Sequence, residues 1–499
     1  MTNSRLCIYT YMLLSMVFII VNISTLRHLT PWIDEVMMLD TSYNAAFHGA
    51  WETTAWYRVA GEYPFSTYPP LYQMLAAVWM KLFGSDMTTV RGLNLLITFV
   101  LGAVCLRLMK HHGFQLNPWS VALFAMLFWG SSEMMWMYRN GRPDMLCALV
   151  FVFTLQSMDH YLLAKSSAAQ TAVIFTSALL VCSGIQSATY LCTLWLFSFL
   201  RKEARRKDVL RLLLFQLSGL LAGLLSVSLF MMAHGRLLAF ASSIIQYSAT
   251  LKAATLLALP WMGEAFGFHP APYIQKLTEL STEASLGERL ASIVEYRSFV
   301  VLSVAALTGY AASSWGNLPG IRSNRGFLLL LFALYVPVAM NLAGRFAVYY
   351  RWMAYLPLIA AITHLAGRHR SWCAVFALLA CLSTALGIRS LSADSHWDCR
   401  NASSFVRRQG FRPADAVICP FSLFYDMKPV CETCYFVGVF PTEFLGHVDY
   451  IIEARNGDES DRHITDYIDQ LKSDTKVTLT AIDHCDNPAL TLYHVQTRK

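Results

Sequence analysis

Apolar runs long enough to cross a bilayer recur along this 499-residue chain, and no other feature constrains its fold so tightly. A backbone in hydrocarbon must satisfy its own hydrogen bonds, and runs of about 17 to 25 residues do so as helices. Such runs lie at roughly 6–23, 90–109, 118–137, 144–164, 168–184, 186–200, 209–233, 297–315, 326–343, 349–366 and 371–390. That predicts an all-α polytopic membrane protein of about eleven spans. Composition agrees: 56% of residues are hydrophobic and 14% charged, against roughly 25% charged in soluble domains. With 26 Gly and 17 Pro and apolar runs of varied sequence, disordered, collagen-like and coiled-coil classes are excluded.

The net charge of +7 is read by position, because in a membrane chain Lys and Arg set orientation. No basic stripe interleaved with aromatics points to a nucleic-acid partner. Arg5 precedes the first run, and no small-residue cleavage signature follows Asn22-Ile23-Ser24, so the run reads as an uncleaved signal anchor with its N-terminus in the cytoplasm. The basic loops then share one side: Arg107 to His112, Lys165, Arg201 to Lys207, Arg322 with Arg325, and Arg368 with Arg370. The acids crowd the other side, with Asp34, Glu35, Asp40, Glu52 and Glu62 in a first outer loop over about 27–89 and five glutamates between Glu264 and Glu295. Segment 71–83 is apolar but short, and parity makes it an interfacial helix on the outer face. The expected location is the cell (inner) membrane, with the acidic loops extracytoplasmic.

After about residue 390 the pattern changes. Strand-like runs at Ala416–Ile418, Tyr450–Ile452, Val477–Leu479 and Leu490–Val495, with helical runs near Ser403–Gln409 and His463–Lys472, predict a small α/β domain over 391–499 beside a membrane domain over 1–390. An odd number of spans leaves this domain outside. It holds Cys399, Cys419, Cys431, Cys434 and Cys485, enough for up to two disulfides. Cys431-Glu-Thr-Cys434 could also form a redox or zinc pair, although no second pair matches it. The other seven of the twelve cysteines lie in or beside apolar spans, where they act as small hydrophobes.

Four groups of residues on the outer side could carry chemistry. Thr30-Pro-Trp-Ile-Asp34-Glu35 sets two acids just beyond the first span. They could serve as first-turn helix acids or as a general base. Tyr138-Arg139-Asn-Gly-Arg142-Pro-Asp144 puts two arginines and a carboxylate at the mouth of an apolar helix, where they must snorkel, pair or be wetted. Tyr63 to Tyr72 is a proline-stiffened aromatic turn around Tyr68, and the stretch from Arg345 to Pro357 gathers Arg345, Tyr349 and Arg351. An aromatic belt also accounts for such phenols. Their shared side is the informative fact.

Asp34-Glu35, then Tyr68-Pro-Pro-Leu-Tyr72 running into Leu82-Phe-Gly84 and Arg91, then Gly141-Arg-Pro-Asp-Met-Leu146, resembles the GT-C glycosyltransferases. The likeness is greatest to bacterial members of the protein O-mannosyltransferase and lipid A aminoarabinose transferase kind, and covers the motif order over about residues 1–165. It implies transfer of a sugar from a polyprenyl phosphate to a lipid, glycan or protein acceptor on the outer face, with inversion. On this likeness Asp34 matches the catalytic acid and Asp144 a second acid near the reaction centre. Where the family often has a histidine or lysine beside the proline turn, this chain has Tyr68.

The chemistry suits the residue types independently. A hydroxyl acceptor must lose a proton as it attacks, which asks for a carboxylate: Asp34, with Glu35 as neighbour or substitute. A departing lipid phosphate asks for fixed cations in a low dielectric, and Arg139, Arg142, Arg345 and Arg351 are the candidates, flanked by Tyr68 and Tyr349. A site at the bilayer edge lets a prenyl chain stay among membrane lipids while its sugar faces water. The paired acids Asp34 and Glu35 could also hold a divalent metal, though no accompanying ligand spacing is visible. The rival reading is a transporter or lipid flippase, which would place ionisable groups at mid-membrane and often show two similar halves. Neither is found. A membrane scaffold would leave Asp34 and Asp144 unexplained.

Overall fold

The computed structural model describes residues 3–26, 31, 33–55, 68–184, 206–241, 297–313, 324–343, 351–392, 398–436, 442–455 and 462–497. The expected span at 186–200 and the residues Arg345 and Tyr349 lie outside them. Every other expected span is helical: α1 (Asn3–Thr25), α4 (Met87–His111), α5 (Pro118–Gly130) with α6 (Ser132–Tyr138), α7 (Asp144–Ala164), α8 (Ser167–Ser183), α9 (Arg206–Ala233), α10 (Arg297–Ser313), α11 (Arg325–Ala343), α12 (Trp352–Arg368) and α13 (Arg370–Ser392). Between α1 and α4 lie α2 (Ile33–Phe47) and α3 (Leu71–Phe83). Among the described residues five helices, α1, α4, α7, α9 and α13, are both long and apolar enough to cross a membrane. The protein is a multi-pass membrane protein.

Polarity along α1 runs from outside to inside in the sense expected of a lipid-bathed helix. Leu13, Met16 and Ile20 are exposed while Ser15 and Asn22 are fully buried. In water this would be costly; in lipid the polar groups must instead find partners within the bundle. They do: the Trp129 indole donates to Ser15 Oγ at 2.9 Å, and the Asn22 amide donates to the Tyr138 hydroxyl at 3.2 Å. At the opposite end of the bundle the basic loops converge, with Arg325 donating to the His112 carbonyl at 2.5 Å and Lys165 paired with Asp208 at 2.6 Å.

The expected single span at 118–137 is instead two helices. Ser131 is extended (φ −70°, ψ 136°) and separates the 13-residue α5 from the seven-residue α6. Gly130 at the break lies so close to Thr384 of α13 that a Cβ would overlap its hydroxyl. Close approach of the two helices is thus allowed by a residue without a side chain. The 13-residue α3 is about 20 Å long at 1.5 Å per residue, short of the ~30 Å hydrocarbon core. It buries Tyr72, Gln73, Ala76, Ala77 and Met80 while Leu75, Val78, Leu82 and Phe83 stay exposed, the one-sided pattern of a helix lying against a surface.

The terminal domain comprises α14 (Cys399–Gln409), β1 (Ala416–Ile418), the short α15 (Phe424–Met427), β2 (Thr433–Tyr435), β3 (Tyr450–Ala454), α16 (Arg462–Lys472), β4 (Val477–Asp486) and β5 (Ala489–Thr497). The sheet order is β2-β1-β3-β5-β4, parallel across β2-β1-β3 and antiparallel thereafter. All four expected strands form; β2 was not foreseen, being three residues long in a cysteine-containing turn. One sheet face packs Ile418, Ile451 and Val495 against Ile464 and Ile468 of α16. The other face, through Val417, Ile452, Phe421 and Phe424, joins the core of the membrane helices. No disulfide links the described cysteines. Hydrogen bonding to Cys434, and then burial, push the Cys431 thiol up, while burial and hydrogen bonding to Cys419 push Cys434 up.

This junction contains a buried ion pair. Lys428 Nζ lies 2.8 Å from Asp40 Oδ1, with both side chains at most 1% exposed. Removing one partner of such a pair strands the other charge and costs about 3–5 kcal/mol. Lys428→Met should therefore lower stability by that amount in denaturant unfolding of the detergent-solubilised protein. Adding Asp40→Asn should restore much of it, whereas a variant as stable as the wild type would show the pair to be inert.

Candidate active site

Four of the residues singled out in the sequence meet around one guanidinium. Arg142 Nε donates to Asp144 Oδ2 at 2.9 Å, Nη1 pairs with Asp34 Oδ2, and Nη2 donates to the Tyr68 hydroxyl at 3.1 Å. The chain makes this possible by bringing together the first turn of α2 (Asp34), the loop between α6 and α7 (Arg142), the first residue of α7 (Asp144) and the turn before α3 (Tyr68). Burial works against the charge on Arg142, but Asp144, Tyr68 and Asp34 outweigh it and hold the guanidinium well above the ordinary arginine value. It is a permanent cation shared by two carboxylates.

The loop carrying Arg142 is itself pinned. Asn94 of α4 donates to the Arg142 carbonyl at 2.8 Å and also to the Asn140 carbonyl. Arg139 turns the other way: its donors reach Asn22 Oδ1 at 2.9 Å, Thr25 Oγ1 at 2.8 Å and the Thr25 carbonyl at 2.7 Å. It ties the end of α1 to the loop, because a fully buried guanidinium must find acceptors and the last turn of a helix offers carbonyls with none.

Glu35, one residue after Asp34, faces the interior. Arg91 grips it with Nε to Oε1 and Nη2 to Oε2, both 2.8 Å, and both side chains have no exposed surface. The hydroxyl of Tyr425, from α15 of the terminal domain, donates to Glu35 Oε1 at 2.6 Å. Burial and then the neighbouring carboxylate Glu35 push this phenol well above its ordinary range, so it stays protonated and donating. Burial, then Glu35 and Asp144, do the same to Tyr72. Exposure separates the three acids. Asp34 keeps 26% of its side chain accessible, against 0% for Glu35 and 5% for Asp144.

Solved structures resemble this chain to different degrees. ArnT from Cupriavidus metallidurans in the apo state is 12% identical, covering 98% of this chain and 97% of that one, at a TM-score of 0.49. The Archaeoglobus fulgidus oligosaccharyltransferase in its apo form is 11% identical over 89% of this chain and 69% of that one, at 0.53. The same archaeal protein, AglB, in complex with an inhibitory peptide and a dolichol-phosphate, is 12% identical over the same shares, at 0.51. This chain shares its fold with the archaeal oligosaccharyltransferase. No protein-family model and no curated protein matches its sequence.

Arg351 caps the N-terminus of α12, the helix that carries the buried Tyr355, where Glu133 of α6 also comes close. A divalent metal at Asp34 and Glu35 does not suit the donors. Both Glu35 oxygens accept from Arg91, and Asp34 accepts from Arg142, so an added cation would meet two guanidiniums rather than a ligand set. Among the described residues no three His, Cys, Asp or Glu side chains converge. Residues that sequence reasoning passed over are Asn94, Tyr425 and Lys428. Asn94 had a signal, since Arg91 and Asn94 sit three apart on one face of an apolar span, and polar residues there demand partners. Tyr425 and Lys428 had none.

The Arg142 loop rests directly on Glu35. A Cβ on Gly141 would lie 3.0 Å from Glu35 Cγ and Oε1 and would overlap Leu39 Cδ1. Gly141→Ala should therefore lower stability by about 1–3 kcal/mol. Trimming the opposing side chain in Gly141→Ala/Leu39→Ala should show positive coupling in a double-mutant cycle of thermal unfolding; strict additivity would mean the contact is relaxed.

Proposed function

We propose that this protein is an inverting membrane glycosyltransferase, moving a sugar from a polyprenyl phosphate-linked donor to a lipid, glycan or protein acceptor at the extracytoplasmic face of the cell membrane. The observation that carries this is the Asp34–Arg142–Asp144 cluster. A carboxylate with an open edge is oriented by an arginine that is itself locked by a second, buried carboxylate.

Asp34 is the general base. The acceptor oxygen attacks the anomeric carbon as its proton passes to the Asp34 carboxylate. The bond from that carbon to the phosphate oxygen breaks, and its electron pair leaves on the polyprenyl phosphate. One displacement gives inversion. Arg142 aims Asp34, and Asp144 keeps Arg142 from swinging away. The donor's phosphate is assigned to Arg142 and Tyr68, with Arg351 and, by their place in the sequence, Arg345 and Tyr349 as the further candidate cations and phenol. Arg139, whose terminal nitrogens are held by the end of α1, and Glu35, held by Arg91 with Tyr425, frame the site. The apolar outer surface leaves the prenyl chain among membrane lipids. A lipid phosphate is bound in the AglB complex of the same fold, which supports the donor class.

Asp34→Asn keeps size and most hydrogen bonds but cannot take the proton. Turnover should fall by about 10²–10⁴ while the protein still purifies as a folded species, measured by mass identification of product from defined polyprenyl phosphate sugars. Undiminished turnover would remove Asp34 as base. Arg142→Ala should raise the KM for the lipid-linked donor as well as lowering kcat; a change in kcat alone would limit Arg142 to orienting Asp34.

A further inference from the structure

We infer that the terminal α/β domain is a working part of the site, with Tyr425 acting as a positioning residue for Asp34 and Arg142; the inference rests on the transferase reading and gives the domain a role in it. Two anchors leave the domain from neighbouring positions. Tyr425 donates to Glu35 at 2.6 Å, and Lys428, three residues on, pairs with Asp40 at 2.8 Å and donates to Thr54 Oγ1 at 2.6 Å. Glu35 and Asp40 lie on the same helix, α2, whose first turn carries Asp34. A helix held at one point can rotate or slide; held at two points five residues apart, it can do neither.

The second anchor also fixes residues 53–55. Asp40 Oδ2 accepts from Thr53 Oγ1 at 2.7 Å, Thr54 N at 2.6 Å and Ala55 N at 3.0 Å, and Phe436 N of the domain donates to the Ala55 carbonyl at 2.9 Å. The first anchor reaches Arg142 as well, because Gly141 packs on the Glu35 side chain that Tyr425 holds. Base and cation therefore both connect to the terminal domain through the buried Tyr425–Glu35 contact. Small displacements of such groups are expensive in rate, since reacting atoms must lie within a fraction of an ångström of their attack geometry.

The test compares full-length wild type with Tyr425→Phe, which removes one hydroxyl, and with Tyr493→Phe. Tyr493 on β5 makes the same kind of bond, to Glu453 Oε2 at 2.9 Å, inside the same domain but away from α2. Deuterium exchange over residues 33–47 and 51–55 is read alongside kcat and donor KM with defined polyprenyl phosphate sugars. Tyr425→Phe should speed exchange in both segments several-fold and lower kcat about ten-fold at unchanged KM, and Tyr493→Phe should do neither. Wild-type exchange and kcat in Tyr425→Phe, or the same losses in Tyr493→Phe, would overturn the inference. If wild-type protein turns over no donor, the transferase reading falls, and the exchange comparison alone still decides whether Tyr425 anchors α2.

Discussion

A carboxylate buried without exposed surface is tolerable only if its charge is met on every side, and the organisation of this end of the helix bundle follows from how Glu35 meets that requirement. Arg91 supplies a two-pronged partner from a membrane-spanning helix, Tyr425 supplies a hydroxyl from the terminal domain, and Gly141 lets the Arg142 loop close over the top. Three parts of the chain that are far apart in sequence are thereby brought to one carboxylate. Asp34, the next residue back, inherits its position from that arrangement.

The same economy recurs nearby. Arg139 and Arg142 are both fully buried, yet they do different things because different acceptors surround them. Arg139 is spent on the carbonyl and side chains at the end of α1, which need donors of their own, while Arg142 is surrounded by acids and a phenol. In a low-dielectric setting each guanidinium is directed by whatever acceptors its loop brings within reach. One consequence is a graded set of carboxylates, with Glu35 and Asp144 sealed and Asp34 open at one edge.

Much of this was legible in the residues. The spans, the short outer helix at 71–83, the terminal α/β pattern and the grouping of Asp34, Tyr68, Arg142 and Asp144 on one side all follow from hydrophobic period, length and charge placement. The break at Ser131 was not, because a run of apolar residues reads the same whether it forms one helix or two; it depends on how closely Gly130 approaches α13. Nor could the residue types alone separate Arg139 from Arg142, or assign Glu35 to the framework and Asp34 to the open edge. Adjacent helical residues point about 100° apart, and which direction faces the interior is set by neighbours.

The amino-acid order by itself determined that this chain must live in a bilayer, which loops share a side, and which side holds acids facing arginines, since each of these depends on local composition and on the cost of placing charge in hydrocarbon. Tertiary structure decided which of those charges meet. Arg91 finds Glu35 across 56 residues, and Tyr425 finds it across 390. Contacts at such separations are set by the packing of whole helices and a sheet, and a local pattern carries no record of them.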